Sequence, residues 1–397
     1  MQVVQNKIKT SFKNVFELIT HTDFSWATWR LPATTTQSLI VDFSDSFQFL
    51  DTEIEQAKSG FVISPFVNPE LKQTYFIEEN FRLDYSPEKN IFQEKKNSNY
   101  IDFQSFIEKI TPKKQHKNWN KKCKKLTNQN SSLEKNHLDL VEKGIKAIQG
   151  KHFQKVVLSR RKIIEYPAEF DLWLAFQNLC KQYPNAFCYI FHIPSVGMWM
   201  GASPEILIST DKNNIFRTVA LAGTQKYSAD ISLNQMVWGQ KEIEEQAMVS
   251  RYIINCFKKI RLREFEEEGP KTVVAGNLAH LKTFFEVDMQ ATNFSQLGSV
   301  MLKLLHPTSA VCGMPKDVSE KFILENENYD REFYSGFLGP VNIDNETHIF
   351  VNLRCLQFFE NCMQLYAGGG ITEDSVPEKE WLETELKCRT LLDILFN

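Results

Sequence analysis

The sequence lacks several patterns that would assign a protein to a class at once. None of its 8 cysteines forms a C-x-x-C pair, and no stretch approaches the ~18 consecutive apolar residues of a membrane-spanning helix. The net charge is −3, so the composition does not indicate a nucleic-acid-binding protein. The first residues, MQVVQNKIKTSFKNVFELIT, carry polar side chains throughout. They therefore do not predict a signal peptide.

The cysteines lie at scattered positions, several of them inside apolar runs. We expect reduced core thiols in a cytoplasmic protein, because neither a disulfide framework nor a zinc site has this spacing. With 397 residues, 42% of them hydrophobic, the chain is long enough to bury one or two large cores. These features predict a globular protein without a membrane or nucleic-acid partner.

Glycine is nearly absent from the first third of the chain, where only Gly60 precedes Gly144. Residues 1–111 contain strand-like pieces, and we expect them to complete the fold of the remaining chain. Residues 112–132 include seven lysines between 113 and 125 and are predicted to be a solvated linker. Contact of this run with nucleic acid or an acidic partner stays open. Residues 133–397 are then expected to form the main, catalytic domain.

The second part of the chain alternates helix-like and strand-like segments without a strict β-α-β order. We find neither a G-x-G-x-x-G motif after a first strand nor a phosphate-binding loop. Hairpins and long helices predict an α/β fold of the α+β type, with mostly antiparallel sheets wrapped by helices. The predicted helices are 133–153, 170–184 and 235–262, the predicted strands are 155–164, 186–193 and 215–224, and a hairpin is predicted over 348–370 with its turn near 360–361.

Three consecutive glycines, Gly368 to Gly370, stand out in the stretch YAGGGITEDS. Three glycines in a row are entropically costly, so they indicate positive φ angles or a group pressed against bare backbone. We expect a glycine turn here, lying directly ahead of an acidic helix. Exposed amides at such a turn suit a carboxylate-bearing ligand.

Two pairs of glutamates follow the E-x-x-E pattern: Glu242 with Glu245, and Glu380 with Glu383. Residues three apart share one face of a helix. Two such helices would form an oxygen-rich site for Mg²⁺, which prefers one or two protein carboxylates together with waters and an anionic substrate group. The alternative is an exposed helix face, on which Lys387, four residues after Glu383, adds a weak ion pair.

Lys155 and Glu205 are candidates for acid–base chemistry. Lys155 opens the apolar strand KVVLSR, where burial or neighbouring charge would let it act as a base. Its alternative is a snorkelling lysine at a sheet edge. Glu205 lies between MWMGASP and ILI, where an apolar setting would keep its carboxyl protonated as an acid. Its alternative is an exposed residue at the end of a strand.

Eight motifs occur in an order that resembles the chorismate-utilising enzymes: KVVLSR, GASPEIL, ALAGT, KEIEEQA, LHPTSAVCGMP, YDREFYSGFLG, VNLRCLQ and AGGGITEDSVPEKEWLETELK. That family includes isochorismate, salicylate, anthranilate and aminodeoxychorismate synthases. The resemblance covers residues 135–397, about two thirds of the chain. It implies one large unit of antiparallel sheets wrapped by helices, with the site in a deep cleft.

The resemblance also implies roles for individual residues. Lys155 matches the base that activates water, and Glu205 matches the acid that protonates the departing 4-hydroxyl. Glu245 and Glu383 match the Mg²⁺ ligands, with Glu242 and Glu380 as close neighbours. The implied chorismate-binding positions are Ala222, Gly223, Thr224, His280, Ala310, Tyr334, Arg354, Gly368, Gly369, Gly370 and Lys387.

Three positions favour one reaction within the family, the conversion of chorismate to isochorismate by an isomerase. Lys155 stands where anthranilate synthases usually carry Gln, and Ala222 stands where aminodeoxychorismate synthases often carry Lys. Ala310-Val311 stands where salicylate synthases tend to have Thr-Ala. Salicylate synthase and a non-catalytic chorismate-binding relative stay open as alternatives. Gln246 replaces the His of many relatives, which is expected to weaken a hydrogen bond behind the metal ligands.

The resemblance leaves the product's destination open, because menaquinone and catechol siderophore pathways both use isochorismate. We expect the protein to be a monomer, as relatives often are.

Overall fold

The fold is known from a computed structural model, which describes residues 11–44, 46–95, 103–110, 130–165, 170–194, 196–227, 236–275 and 278–395. Nineteen strands lie within these ranges. The first ten are β1 Ser25–Arg30, β2 Gln37–Asp42, β3 Gln48–Phe49, β4 Gly60–Ser64, β5 Tyr75–Glu78, β6 Phe81–Ser86, β7 Ile91–Lys95, β8 Lys155–Glu165, β9 Phe187–Ile193 and β10 Gly197–Ser203. The others are β11 Ile206–Thr210, β12 Ile215–Lys226, β13 Glu266–Ala275, β14 Leu278–Asp288, β15 Gly313–Met314, β16 Phe337–Val341, β17 Thr347–Val351, β18 Cys355–Phe358 and β19 Cys362–Ile371.

The strands form two large sheets, and every pairing in them is antiparallel. The ten-stranded sheet has the order β15-β8-β19-β18-β10-β9-β1-β2-β6-β7, and the nine-stranded sheet has the order β13-β14-β12-β11-β17-β16-β4-β5-β3. Strands from the first hundred residues therefore extend both sheets. The predicted fold class, with mostly antiparallel sheets, is confirmed.

The described residues contain eight α-helices. They are α1 Phe12–Ile19, α2 Phe103–Ile110, α3 Asn130–Gln149, α4 Leu172–Gln182, α5 Gln240–Lys259, α6 Leu297–Leu305, α7 Lys316–Asn326 and α8 Pro377–Leu395. None of the helices within the described ranges is long and apolar enough to cross a membrane.

An aromatic core joins the two sheets. Phe187 of β9 stacks on Phe350 of β17, with ring centroids 4.2 Å apart, and these residues share a buried cluster with Tyr189 and Trp199. Helices α1, α2, α4 and α8 pack on the ten-stranded sheet, whereas α5 and α6 pack on the nine-stranded sheet. Because side chains alternate between the faces of a strand, each sheet can bury apolar side chains on both of its faces.

The predicted helices and strands of the second part are confirmed, with ends shifted by a few residues. The seven cysteines in the described ranges are free and buried, as predicted, while Cys123 lies outside those ranges. The hairpin turn near 360–361 is confirmed, since Phe359 N–H donates to the Cys362 carbonyl. The predicted hairpin began too early, because residues 348–351 belong to β17 in the other sheet.

Two other expectations change. Gly368, Gly369 and Gly370 lie inside strand β19 and are not among the glycines with positive φ, so the predicted glycine turn is wrong. Pairing with β8 along the whole segment keeps the backbone extended. Most of the predicted linker, 112–132, lies outside the described residues, and its last three residues begin α3.

Candidate active site

Lys155 and Glu245 meet between strand β8 of the ten-stranded sheet and helix α5, which packs on the nine-stranded sheet. Lys155 is the first residue of β8 and Glu245 lies in the second turn of α5. The Lys155 Nζ donates to Glu245 Oε1 at 3.0 Å. The lysine side chain is 16% exposed and the glutamate side chain is 40% exposed. The strand thus presents a largely buried ammonium group to a carboxylate that solvent and ligands can still reach.

Glu205 lies between β10 and β11, and hydrogen bonds hold its backbone on both sides. Its N–H donates to Ser203 Oγ at 3.3 Å, and its carbonyl accepts from Val351 N–H at 2.9 Å. Burial raises the pKa of the Glu205 carboxyl to about 7, while the nearby Lys155 ammonium acts to lower it. Desolvation therefore outweighs the attraction of the lysine, and the carboxyl holds its proton to near neutral pH.

The three glycines of β19 form a strip of bare backbone with crowded surroundings. A Cβ on Gly370 would lie 2.9 Å from Lys155 Cε, and one on Gly368 would lie 2.9 Å from the Tyr334 hydroxyl. A Cβ on Gly369 would lie 3.0 Å from Glu380 Oε2. We gave two possible reasons for these glycines, positive φ angles and a group pressed against the backbone. The strand shows the second, because other groups lie close to each glycine. Alternate faces of the strand meet different partners.

The acidic helix α8 is tied to the same strip. Lys387 Nζ donates to the Gly368 carbonyl at 2.7 Å and also contacts Glu383 Oε1 at 2.7 Å. Glu380 Oε1 accepts from Ser375 Oγ at 2.8 Å. The E-x-x-E pattern therefore places one glutamate against the strand and the other beside a lysine. The lysine links the helix to the glycine backbone.

The glutamate carboxylates of α5 and α8 are suitable ligands for a hard dication, although the structure does not bring them together as a preformed metal site. The described ranges contain no group of three or more His, Cys, Asp or Glu side chains close enough to hold a metal. Glu245 and Glu383 instead each contact a lysine, and the Glu383 side chain is 50% exposed. Mg²⁺ needs only one or two protein carboxylates when waters and a substrate anion complete its shell. The residues thus fit an ion that enters with an anionic substrate.

A second group surrounds Arg354. Its backbone adopts a positive φ of 46°, and its guanidinium lies 5.9 Å from the centroid of the Tyr183 ring. Burial lowers the pKa of Arg354, and no acid within the described ranges forms an ion pair with it. An arginine that is partly buried and forms no ion pair with any described acid is a fitting receptor for a ligand carboxylate.

His280 and Gly223 lie on neighbouring strands beside this arginine. His280 Nδ1 lies 3.2 Å from the Gly223 carbonyl oxygen, and burial together with the Arg354 charge lowers the pKa of His280. Gly223 forms a bulge with φ of 65°, where a Cβ would lie 3.1 Å from Glu242 Cβ. The ALAGT motif therefore brings strand β12 against the start of α5. Thr224 pairs with His280 in β14, next to Ala222 and Gly223.

Tyr334 is held by a network that the sequence did not reveal. Its ring stacks on Tyr366 with centroids 5.4 Å apart, and burial raises its pKa. Three residues before it, the buried Arg331 donates to Glu327 Oε2 at 2.8 Å and to the Val157 carbonyl at 2.7 Å. The hydrogen bond to Val157 joins the YDREFY motif to β8. In the sequence, the ion pair is visible only as a Glu and an Arg four apart, and that pattern is typical of exposed pairs.

Gln246 does not face the acidic groups. Its amide is buried and donates to the Ala220 carbonyl at 3.2 Å and to Thr283 Oγ1 at 2.9 Å. It thereby fastens helix α5 to the nine-stranded sheet. Ala310 lines a small cavity together with Glu205, so the residue that favoured one reaction over another lies beside the candidate acid.

A family model matches nearly the whole chain, and individual relatives match part of it. Residues 4–396 match the family described as "Chorismate binding enzyme". The Escherichia coli K12 isochorismate synthase EntC is 31% identical over 247 residues, which cover 60% of this chain and 62% of that protein. The Bacillus subtilis isochorismate synthase DhbC is 27% identical over 263 residues, covering 64% of this chain and 65% of that protein. The matched part thus spans less than two thirds of either relative.

Solved structures share the fold over nearly the full length. The menaquinone-specific isochorismate synthase MenF from Escherichia coli superposes with a TM-score of 0.72 at 18% identity, covering 95% of this chain and 90% of that one. A Bacillus anthracis structure described as a putative 2,3-dihydroxybenzoate-specific isochorismate synthase, DhbC, gives 0.69 at 21% identity, covering 96% and 98%. Anthranilate synthase component I from Streptococcus pneumoniae gives 0.66 at 16% identity, covering 93% and 92%.

Proposed function

Because the chain belongs to the chorismate-binding enzyme family, we propose that it is an isomerase that converts chorismate reversibly to isochorismate. The observation that carries this proposal is the pairing of a candidate base with a candidate acid. Lys155 lies close enough to Glu205 to act on its pKa, while burial raises the pKa of that carboxyl to about 7. The names of the relatives support the choice of reaction.

In the proposed reaction, water adds at C2 and the C4 hydroxyl departs. Lys155, acting as the neutral amine once it has left its ion pair with Glu245, takes one proton from the attacking water, and the resulting hydroxide forms the new C–O bond at C2. The ring double bonds shift, the C4–O bond breaks, and Glu205 gives its proton to the departing oxygen, which leaves as water. One proton is thus gained by the lysine and one is lost by the glutamate. Acid and base catalysis of this kind each contribute about 10²–10⁴ in rate.

The substrate carries two carboxylates, and the site offers groups for both. Arg354, without an acid partner within the described ranges, and Tyr334, beside Gly368, are proposed to bind the enolpyruvyl carboxylate. The glycine strip lets that carboxylate approach the backbone. Lys387 and His280 are proposed to lie near the ring carboxylate, with Ala222, Thr224 and Ala310 among the residues lining the site.

Mg²⁺ is the proposed cofactor. Glu245 and Glu383 would hold it, with Glu242 and Glu380 beside them, because carboxylate oxygens are its preferred protein ligands. When bound, the ion would supply Lewis-acid polarisation of the ring carboxylate. Lys155 and Lys387, which contact Glu245 and Glu383 at 3.0 Å and 2.7 Å, would exchange these ion pairs for contacts with water and substrate.

A chromatographic product assay tests the proposal. Purified protein is incubated with chorismate in Mg²⁺ or in EDTA, with the Glu205→Gln variant as a slow control. Isochorismate in equilibrium with chorismate, formed only with Mg²⁺ and much more slowly by the variant, is the expected result. Salicylate with pyruvate would instead identify a salicylate synthase. Chorismate binding without any product would identify a non-catalytic relative.

We also propose that the protein acts in the cytoplasm and as a monomer. The seven described cysteines are free and buried, which suits a reducing compartment. Its product would feed menaquinone or catechol siderophore synthesis. Size-exclusion chromatography with light scattering tests the assembly, and a mass near the 46.2 kDa of one chain is expected.

A further inference from the structure

A small cavity lies next to the candidate acid. It has a volume of about 30 Å³ and is bounded by Glu205, by residues of β12 and α5, and by the segment after α6. A cavity needs about 10–15 Å³ of accessible volume to hold one water molecule, together with two to four polar partners. Most of the wall is apolar, so the few polar groups in it decide what the cavity can bind.

Thr308 supplies one polar group that lacks a partner. Its Oγ1 is shielded from solvent and has no hydrogen bond to any residue of the described ranges. Two other hydroxyl-bearing residues of the wall are already engaged. Thr218 Oγ1 donates to the Leu207 carbonyl at 2.7 Å, and the Tyr252 hydroxyl donates to the Leu304 carbonyl at 3.0 Å. A buried hydroxyl without a partner is costly, and an ordered water is the usual remedy.

The backbone of Thr308 is held in place. The Thr308 carbonyl accepts from Val311 N–H at 3.1 Å and from Cys312 N–H at 2.9 Å, so a tight turn holds the residue against the cavity. Glu205 is likewise held by backbone hydrogen bonds on both sides. Two polar residues of the cavity wall, Thr308 and Glu205, therefore have fixed backbones.

We propose that this cavity binds one ordered water molecule that links the Thr308 hydroxyl to the Glu205 carboxyl, so that Thr308 is a positioning residue for the acid. The water donates a hydrogen bond to one carboxyl oxygen. The proton on the other oxygen is thereby directed towards the substrate. The catalytic consequence rests on the proposed function, whereas the water site itself does not.

Among the described residues, Lys155 and Tyr252 are the titratable groups near Glu205. Lys155 faces it from β8, and Tyr252 lines the cavity from α5. A water that donates to the carboxyl favours its ionised form. Loss of that water is therefore expected to raise the pKa of Glu205 further, which distinguishes a positioning role from a packing role.

Thr308→Val removes the hydroxyl at nearly constant volume. We expect kcat to fall about tenfold, a part of the ~10²–10⁴ that a general acid contributes. KM is expected to stay within about twofold, and the alkaline limb of the pH–rate profile is expected to move to higher pH. Thr308→Ser should restore both values. Thr218→Val is the matched control, since it removes a hydroxyl from the same wall that is already bonded, and its pH profile should not move.

Equal losses of kcat in Thr308→Val and Thr218→Val without any movement of the profile would overturn the positioning role. A crystal structure at a resolution that shows buried waters tests the site directly. Density within hydrogen-bonding distance of Thr308 Oγ1 and Glu205 supports it, and a dry cavity overturns it. If the wild type forms no isochorismate, the proposed function fails, but the density still decides the water site. The pH dependence of unfolding in Thr308→Val then reports the Glu205 pKa without any turnover.

Discussion

Replacing Glu205 with Gln tests the buried acid through the stability of the protein. The pKa of this carboxyl is about 7 in the folded protein, against 4.5 for an ordinary glutamate. Each pKa unit corresponds to about 1.4 kcal/mol, so ionised Glu205 lowers the free energy of unfolding by about 3 kcal/mol. Glutamine resembles the neutral acid and avoids this cost.

The sign follows from proton uptake. Between pH 4.5 and 7 the folded state keeps the Glu205 proton that the unfolded chain loses, so the wild type loses stability as pH rises through this window. The Glu205→Gln variant has no carboxyl at this position, so it does not lose stability in this way. The advantage of Glu205→Gln is therefore expected to be about 1 kcal/mol or less at pH 5 and about 3 kcal/mol at pH 8.

Thermal unfolding by calorimetry at both pH values is the assay. A chain of 397 residues has an unfolding entropy of about 0.8 kcal/mol/K, so 3 kcal/mol raises Tm by about 4 °C. Glu264→Gln, at an exposed glutamate, makes the same charge change and should show no such pH dependence. The Glu205 variant should also lose about 10²–10⁴ in kcat. A Tm difference that is equal at pH 5 and pH 8 would refute the desolvation of Glu205.

Three further substitutions address the rest of the site. Lys155→Ala is expected to lower kcat by about 10²–10⁴ while chorismate binding, measured calorimetrically, changes little; wild-type turnover would exclude the lysine as base. Glu245→Gln should raise the Mg²⁺ concentration for half-maximal activity by about tenfold or more, because losing even a residue that only hydrogen-bonds to a metal ligand costs about 10–100-fold in metal affinity. An unchanged Mg²⁺ dependence would remove this residue from the ligand set. Gly370→Ala would place a Cβ 2.9 Å from Lys155 Cε, so we expect kcat to fall by about 10² with Tm nearly constant, since a flexible side chain can yield; full activity would show that the lysine does not need its present position.

Local pattern was sufficient for much of the fold. The β-branched run at 155–164 and the helical spacing at 235–262 predicted β8 and α5, which the structure shows as Lys155–Glu165 and Gln240–Lys259. The order of eight motifs predicted the family, and residues 4–396 match it. The glycine run was wrongly predicted to be a turn. The entropic cost of glycine is the same in a bend and in a strand against which neighbouring side chains pack closely, so it cannot distinguish the two.

The roles of the site residues stay predictions, but the structure changes what supports them. The i,i+3 spacing placed each pair of glutamates on one helix face, yet it did not reveal that Lys155 contacts Glu245 at 3.0 Å or that Lys387 contacts the Gly368 carbonyl at 2.7 Å. The spacing of Glu327 and Arg331 is local and is typical of an exposed pair, so it did not reveal that both side chains are buried. Pairings across the fold leave no trace in the spacing of one segment.

By itself, the sequence determined the elements, their order and the types of reactive side chain, because periodicity and motif are properties of neighbouring residues. Only the tertiary structure decided the environment of those side chains. Glu205 has a raised pKa because β10, β11 and their neighbours exclude water around it, and Arg354 lacks an acid partner because the fold places none of the described acids beside it. Desolvation and charge pairing act over distances of a few ångströms between residues far apart in the chain, and the fold alone brings them that close.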